Sequence, residues 1–250
     1  ATWTAPWRAT RSSASRMTAY LDGLTDVASP DAPGSESLPD SSKGEVDERP
    51  SQSRELKARR DKIYLIGFSA TGKSHSGRLA AEALGAAFTD MDRVIVRRAG
   101  KQIPEIFEND GENEFRRIER DVLRELAGIA GRRVISTGGG VPVDARNRDV
   151  MAGSGVTIRL MASPETIHAR INRTGSRSSR RQTTGRPMLA GPESKEGGIE
   201  RVRELLAERE DAYAAAADVA IDTEGREPPD VAAEIVAVIR GSDQNTEETE

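Results

Sequence analysis

Gly67-Phe68-Ser69-Ala70-Thr71-Gly72-Lys73-Ser74 constrains this chain more than any other stretch. Glycine, four free positions, a second glycine, lysine and a hydroxyl residue form the pattern of a phosphate-cradling P-loop. Each residue type has a physical reason. Glycines let the backbone curl so that its N–H groups face phosphate oxygens, the lysine neutralises β/γ charge, and a hydroxyl at Ser74 is suited to Mg²⁺. The flanks agree. Lys62-Ile63-Tyr64-Leu65-Ile66 is an apolar, β-rich run, and Ser74 to Leu84 predicts a helix with Leu79, Ala80, Ala83 and Leu84 on one face, closed by Gly85. Strand, loop and helix in this order point to nucleotide binding.

Strand signals recur at Ile63 to Gly67, Ala86 to Thr89, Arg133 to Thr137, Val156 to Met161 and Val219 to Asp222, each followed by a helical pattern or a turn. That rhythm predicts an α/β fold, a parallel sheet covered by helices on both faces. Ser163-Pro164-Glu165 opens one helix with a hydroxyl cap and a first-turn proline, and Gly241 is expected to end another over Val231 to Arg240.

Residues 1 to about 60 differ, with Ser, Pro, Asp and Glu dominating from Ser29 to Ser53 and no sustained apolar period. They are expected to form a disordered extension, from an extended reading frame, a longer chain or a transit segment. The domain is then 61–241, with a polar tail at 242–250. Arg173 to Gly198, rich in Arg, Ser, Thr and Gly between two helical patterns, is expected to be a lid, although its middle also fits an uninvolved insertion.

The 250 residues carry a formal net charge of -4 and no cysteine, which excludes disulfides, thiolate catalysis and cysteine metal sites. The charge gives no general attraction to nucleic acid or anionic membranes, and no apolar run approaches a membrane span. A cytoplasmic protein acting as a monomer, without nucleic-acid or membrane partners, is expected.

Three more segments carry candidate chemistry. Thr89-Asp90-Met91-Asp92 offers two carboxylates at a strand end, where alternation would face them the same way for Mg²⁺ and a substrate hydroxyl; a helix N-cap is the competing reading. Gly111 to Glu119 leads into a helix with Ile118, Val122, Leu123 and Leu126 on its apolar face, and by residue type alone its arginines are equally well solvated surface charges. Thr137-Gly138-Gly139-Gly140 ends another strand, suited either to close backbone approach to a ligand or to a tight turn.

Together these pieces resemble the shikimate kinase family over most of Lys62 to Gly241. The resemblance rests on the P-loop with Gly77-Arg78, Phe88 and Asp90-Met91-Asp92, Gly100 to Phe107, Gly111-Glu112 with Phe115-Arg116 and Glu119, the triple glycine, Arg186-Pro187-Met188-Leu189, and Arg209 with Tyr213 before Ala217-Asp218. It implies a P-loop NTPase fold of three α/β/α layers with a five-stranded parallel sheet, like that of nucleoside monophosphate kinases, and ATP-dependent, Mg²⁺-assisted phosphorylation of the 3-hydroxyl of shikimate on the route to chorismate. By motif, Asp92 would bind substrate hydroxyls and act as base, Arg116 and Arg209 would pair with the substrate carboxylate, and Gly138, Gly139 and Gly140 would present backbone donors. Gly67, Ser69, Ala70, Thr71, Gly72, Lys73, Ser74 and His75 would surround the phosphates, Ser74 and Asp90 would serve the metal, Arg173 would lie against adenine, and Arg186 would close from the lid and act with Lys73 in catalysis.

Three features depart from the family. His75 replaces a hydroxyl residue that often supports the α-phosphate, Met188 replaces a leucine, and the lid is longer and carries Arg177, Arg180 and Arg181. Competing readings are a gluconate or nucleotide kinase on the same fold and a non-catalytic ATP-sensing module.

Overall fold

The computed structural model describes residues 61–177 and 195–247. The N-terminal stretch, Arg186 with the centre of the expected lid, and the last three residues lie outside the described residues. Five strands, β1 (Lys62–Ile66), β2 (Ala87–Asp90), β3 (Arg133–Ser136), β4 (Gly155–Met161) and β5 (Val219–Asp222), form one sheet in the order β2-β3-β1-β4-β5. Every pairing is parallel. The expected α/β architecture is therefore present, with strand ends shifted by one residue at most sites.

The helices are α1 (Lys73–Ala83), α2 (Met91–Ala99), α3 (Ile103–Asn109), α4 (Gly111–Gly128), α5 (Ala145–Ser154), α6 (Pro164–Arg177), α7 (Lys195–Ala216) and α8 (Pro228–Glu247), with a 3₁₀ turn at Val141–Val143. Side-chain alternation along the strands divides the core into two layers. Tyr64, Ile66 and Ile135 face α2, α4 and α5, where they join Met91, Ile95, Val122, Leu123 and Met151. Ile63, Leu65, Val134, Ile158, Leu160 and Ile221 face α1 and α8, where they join Ala80, Val231, Ile235 and Ile239. All five residues of β1 are buried, as a central strand covered on both faces requires. A smaller cluster of Phe68, Ile167, Val202 and Leu205 ties the loop after β1 to α6 and α7.

Two local expectations need correction. Asp90 and Asp92 do not alternate along a strand, because β2 ends at Asp90 and α2 begins at Met91. Asp90 caps α2, accepting from the Arg93 N–H at 3.4 Å, while Asp92 sits in the helix's first turn. Gly241 does not end its helix: α8 continues to Glu247, so much of the expected polar tail is helical. The glycine costs only about 1 kcal/mol of helix propensity, and no helix-breaking proline follows it.

Candidate functional site

The sheet order sets the site. Loops after β1 and β3 leave adjacent strands at their C-terminal ends, and the Leu65 carbonyl binds both the Thr137 N–H (3.1 Å) and the Thr137 hydroxyl (3.0 Å). The P-loop and the triple glycine are held side by side. They line one cleft of about 1220 Å³, together with Asp92, Arg116, Glu119, Arg170, Arg173 and Arg209.

The P-loop curls through left-handed positions at Ala70 (φ 63°) and Gly72 (φ 97°). At Gly67 a Cβ would lie 2.2 Å from the Leu160 carbonyl oxygen, so only glycine fits. Lys73 donates to the carbonyls of Gly67 (2.7 Å) and Phe68 (2.6 Å), which folds its ammonium over the loop. Thr71 anchors the turn through its hydroxyl on the Phe68 carbonyl (2.9 Å). Below the loop, Ser74 Oγ donates to Asp90 Oδ2 at 2.7 Å and lies 3.0 Å from Ser136 Oγ. These oxygens make a small hard-donor corner rather than a cage. No group of three or more His, Cys, Asp or Glu suited to a metal occurs among the described residues. His75 follows as an exposed residue of the cleft wall, and Ser76 beside it is 1% exposed.

The other half of the cleft is organised by the triple glycine. A Cβ on Gly138 would lie 3.0 Å from Asp92 Oδ1, one on Gly139 would lie 3.6 Å from Arg209 Nη1, and one on Gly140 would lie 2.6 Å from Arg116 Nη1. One carboxylate and two guanidinium groups thus converge from α2, α7 and α4 onto three consecutive residues without side chains. A Cβ at Gly138 or Gly140 would crowd these groups while one at Gly139 would meet only ordinary contacts, and the same stretch also turns, the Gly138 carbonyl accepting from the Val141 N–H at 3.2 Å.

Arg116 is fixed from behind. Its Nη1 donates to both carboxylate oxygens of Glu119 (2.9 and 3.2 Å), and Nε and Nη2 donate to Glu112 Oε1 (3.3 and 3.1 Å). Glu119 is 1% exposed. Burial pushes its carboxyl above the ordinary carboxylate range, aided by the nearby charges of Asp92 and Asp144, while Arg116 pulls the other way. Burial works against the Arg116 charge in turn, but Glu119 and Glu112 outweigh it and hold the guanidinium firmly protonated. Arg209 lies over the Phe68 ring, 5.6 Å from its centroid.

At the nucleotide end, Arg170 joins three segments, donating to Thr223 Oγ1 (3.0 Å), the Thr223 carbonyl (2.6 Å) and the Ala70 carbonyl (3.4 Å). Arg173 is exposed on the same wall.

A shikimate kinase family model matches residues 69–240. The chain belongs to the shikimate kinase family. It is 41% identical over 178 residues to shikimate kinase of Geobacter sulfurreducens, covering 71% of this chain and 90% of that one. With the Mycobacterium avium enzyme it shares 40% over 182 residues, 73% and 95% of the two chains. Among solved structures, shikimate kinase from Acinetobacter baumannii in complex with shikimate is similar at a TM-score of 0.64 and 33% identity, covering 77% of this chain and 98% of that one. The Aquifex aeolicus shikimate kinase matches at 0.59 and 31% identity, over 74% and 99%.

Of the residues that the family resemblance singles out, those from Gly67 to His75, with Asp90, Asp92, Arg116, Gly138 to Gly140, Arg173 and Arg209, all lie on or directly beneath this cleft. Arg186 lies outside the described residues, as do Arg180, Arg181 and Met188. Residue types alone did not reveal Glu119, Arg170 or the Arg159, Glu210 and Tyr213 cluster as parts of the site. Glu119 had one local signal, its i,i+3 spacing from Arg116.

Proposed function

We propose that this chain transfers the γ-phosphoryl group of ATP to the 3-hydroxyl of shikimate. The observation that carries the reading is the convergence of Asp92, Arg209 and Arg116 on Gly138 to Gly140 beside the P-loop. Two fixed guanidinium groups call for an acceptor bearing an anion, and their planar forks match a carboxylate bidentately. Arg116 already has Glu119 and Glu112 behind it, so what discriminates against a neutral sugar is the loss of the charge-assisted bonds that an acceptor carboxylate would make on the cleft side.

The acceptor carboxylate lies between Arg116 and Arg209, and Asp92 takes its hydroxyls, including the one that reacts. The hydroxyl oxygen forms a bond to the γ-phosphorus, the bond to the β,γ-bridging oxygen breaks, ADP leaves with that electron pair, and the hydroxyl proton passes to Asp92. Such a transfer asks the protein chiefly for alignment and compensation of charge. Lys73 leaves the Gly67 and Phe68 carbonyls for the β/γ-phosphate oxygens, and the P-loop amides hold the phosphates. Ser74 and Asp90, whose oxygens lie 2.7 Å apart, would hold Mg²⁺, which would supply charge neutralisation on the phosphates. By the family pattern Arg173 would serve the adenine, and Arg186, outside the described residues, would serve the phosphates. The working unit runs from 61 through α8 to Glu247, acting as a monomer in the cytoplasm. Among the described residues no helix is long and apolar enough to cross a membrane.

The test is ATP consumption by the purified chain with Mg²⁺ and shikimate, beside gluconate and nucleoside monophosphates. Turnover with shikimate alone is expected. Turnover with another acceptor would move the substrate, and nucleotide binding without turnover on any of them would favour a sensor.

A further inference from the structure

Three consecutive glycines have no side chains to hold their peptide planes, so a loop that presents backbone donors in fixed directions needs other restraints. Two of the three carbonyls are held locally. The Gly138 carbonyl accepts from the Val141 N–H (3.2 Å) and the Gly140 carbonyl from the Val143 N–H (3.1 Å), both within the turn that follows. The middle carbonyl, that of Gly139, accepts instead from Tyr213 Oη at 2.7 Å, a group 74 residues away on α7.

Tyr213 is itself immobilised. It is 0% exposed, and the Arg159 guanidinium lies 5.1 Å from its ring centroid. Arg159, rising from β4, is locked by two bonds to Glu210 of α7 (2.8 and 2.7 Å). Burial raises the phenol's pKa, although the adjacent Arg209 guanidinium opposes this, so the hydroxyl keeps its proton and donates. Arg209 is one helical turn before Tyr213, on the same face of α7.

We propose that Tyr213 is a positioning residue for the acceptor, its hydroxyl fixing the Gly139–Gly140 peptide and the neighbouring Arg209 in a single arrangement. This rests on the reading of the cleft as a shikimate site. The peptide is planar and trans, so holding the Gly139 carbonyl toward α7 directs the Gly140 N–H the opposite way, to the cleft that Gly140 lines. Packing alone does not require the hydroxyl, since phenylalanine would fill the same space beneath Arg159. The oxygen is needed because the loop above it is torsionally soft.

Tyr213→Phe separates the two roles. Steady-state kinetics with shikimate and ATP varied in turn should show the KM for shikimate raised about tenfold, the loss of one buried hydrogen bond. The KM for ATP is expected to stay within twofold, and kcat to fall less than threefold. A shikimate KM within twofold of the unaltered enzyme overturns the assignment, as does an equal rise in both KM values, which would mean general loosening. If the phenylalanine variant does not fold, Glu210→Gln, at a half-exposed position, frees Arg159 from one side of the ring; it should raise the shikimate KM about threefold at constant ATP KM, and no change refutes the proposal. Failure of the functional reading looks different. The unaltered protein would then neither bind shikimate by calorimetry nor turn it over, and the Tyr213 assignment would fall with it.

Discussion

Adding a single methyl group at Gly140 tests the geometry of the acceptor site with little disturbance elsewhere. Gly140 has φ -96° and ψ -9°, a right-handed conformation open to alanine, so Gly140→Ala introduces no backbone strain. The new carbon would stand 2.6 Å from Arg116 Nη1, 3.0 Å from Nη2 and 3.2 Å from Cζ. Ordinary contact requires about 3.5 Å, so the guanidinium must retreat by roughly 0.9 Å. It cannot do so freely, because Glu119 and Glu112 hold it from behind. A fork displaced that far keeps at most one of two bonds to a bound carboxylate, a loss of about 1.5–3 kcal/mol, or roughly 10- to 150-fold in affinity. Steady-state kinetics should show that rise in the shikimate KM with the ATP KM unchanged, and a thermal scan should show the melting temperature lowered by about 2–4 °C, a ΔΔG of about 1 kcal/mol, as the displaced guanidinium strains its bonds to Glu119 and Glu112. A shikimate KM within twofold of the parent would refute the placement of Arg116 at the acceptor.

Other consequences can be measured in parallel. Asp92→Asn should abolish turnover while leaving ATP affinity nearly intact, whereas Lys73→Ala should damage both, as read by coupled assay and nucleotide titration. Arg209→Lys keeps the charge but loses the fork, and should raise the shikimate KM about tenfold; a normal KM would count against a bidentate role. Ala70→Gly relieves a left-handed alanine and, after the larger entropy of glycine in the unfolded chain, should stabilise by about 0.5 kcal/mol in denaturant melts, with a decrease in stability as the contrary result. Burial raises Glu119 above its ordinary value of 4.5, so its contribution to stability is complete below that pH and is lost as pH rises through the folded value. Glu119→Gln removes this term: its stability relative to the parent should improve from pH 4 to pH 7, and a parallel pair of curves would contradict the shift.

How much of this was legible beforehand depended on how local each signal is. The P-loop could be read directly because strand, curled loop and helix are contiguous, and β1 appears as an apolar run because both of its faces are covered. Asp92 was visible by type but not by setting, since the switch from strand to helix after Asp90 changes which way it turns. Arg116 and Arg117 show the limit most clearly. They are neighbours of the same chemistry about 100° apart on α4, yet Arg117 pairs with Glu114 (2.6 Å) and Asp121 (3.1 Å) on the outer surface while Arg116 faces the glycines. Packing of the Phe115, Ile118 and Val122 stripe decides between them, and the family pattern supplied the choice that composition left open. Tyr213 and Arg159 meet only because β4 lies beside β1 and α7 crosses above, a long-range arrangement with no local spacing to announce it.

The adjacency of β1 and β3 acts as a ruler. Neighbouring strands in a sheet stand about 4.8 Å apart, a spacing set by backbone hydrogen bonds and insensitive to side-chain identity. Because the P-loop grows from one strand and the glycine loop from the next, the separation of their starting points is set by the backbone hydrogen bonds between β1 and β3. Helices α2 to α4 can then drift in sequence, changing which side chains face the cleft, while the spacing between its two loops stays the same.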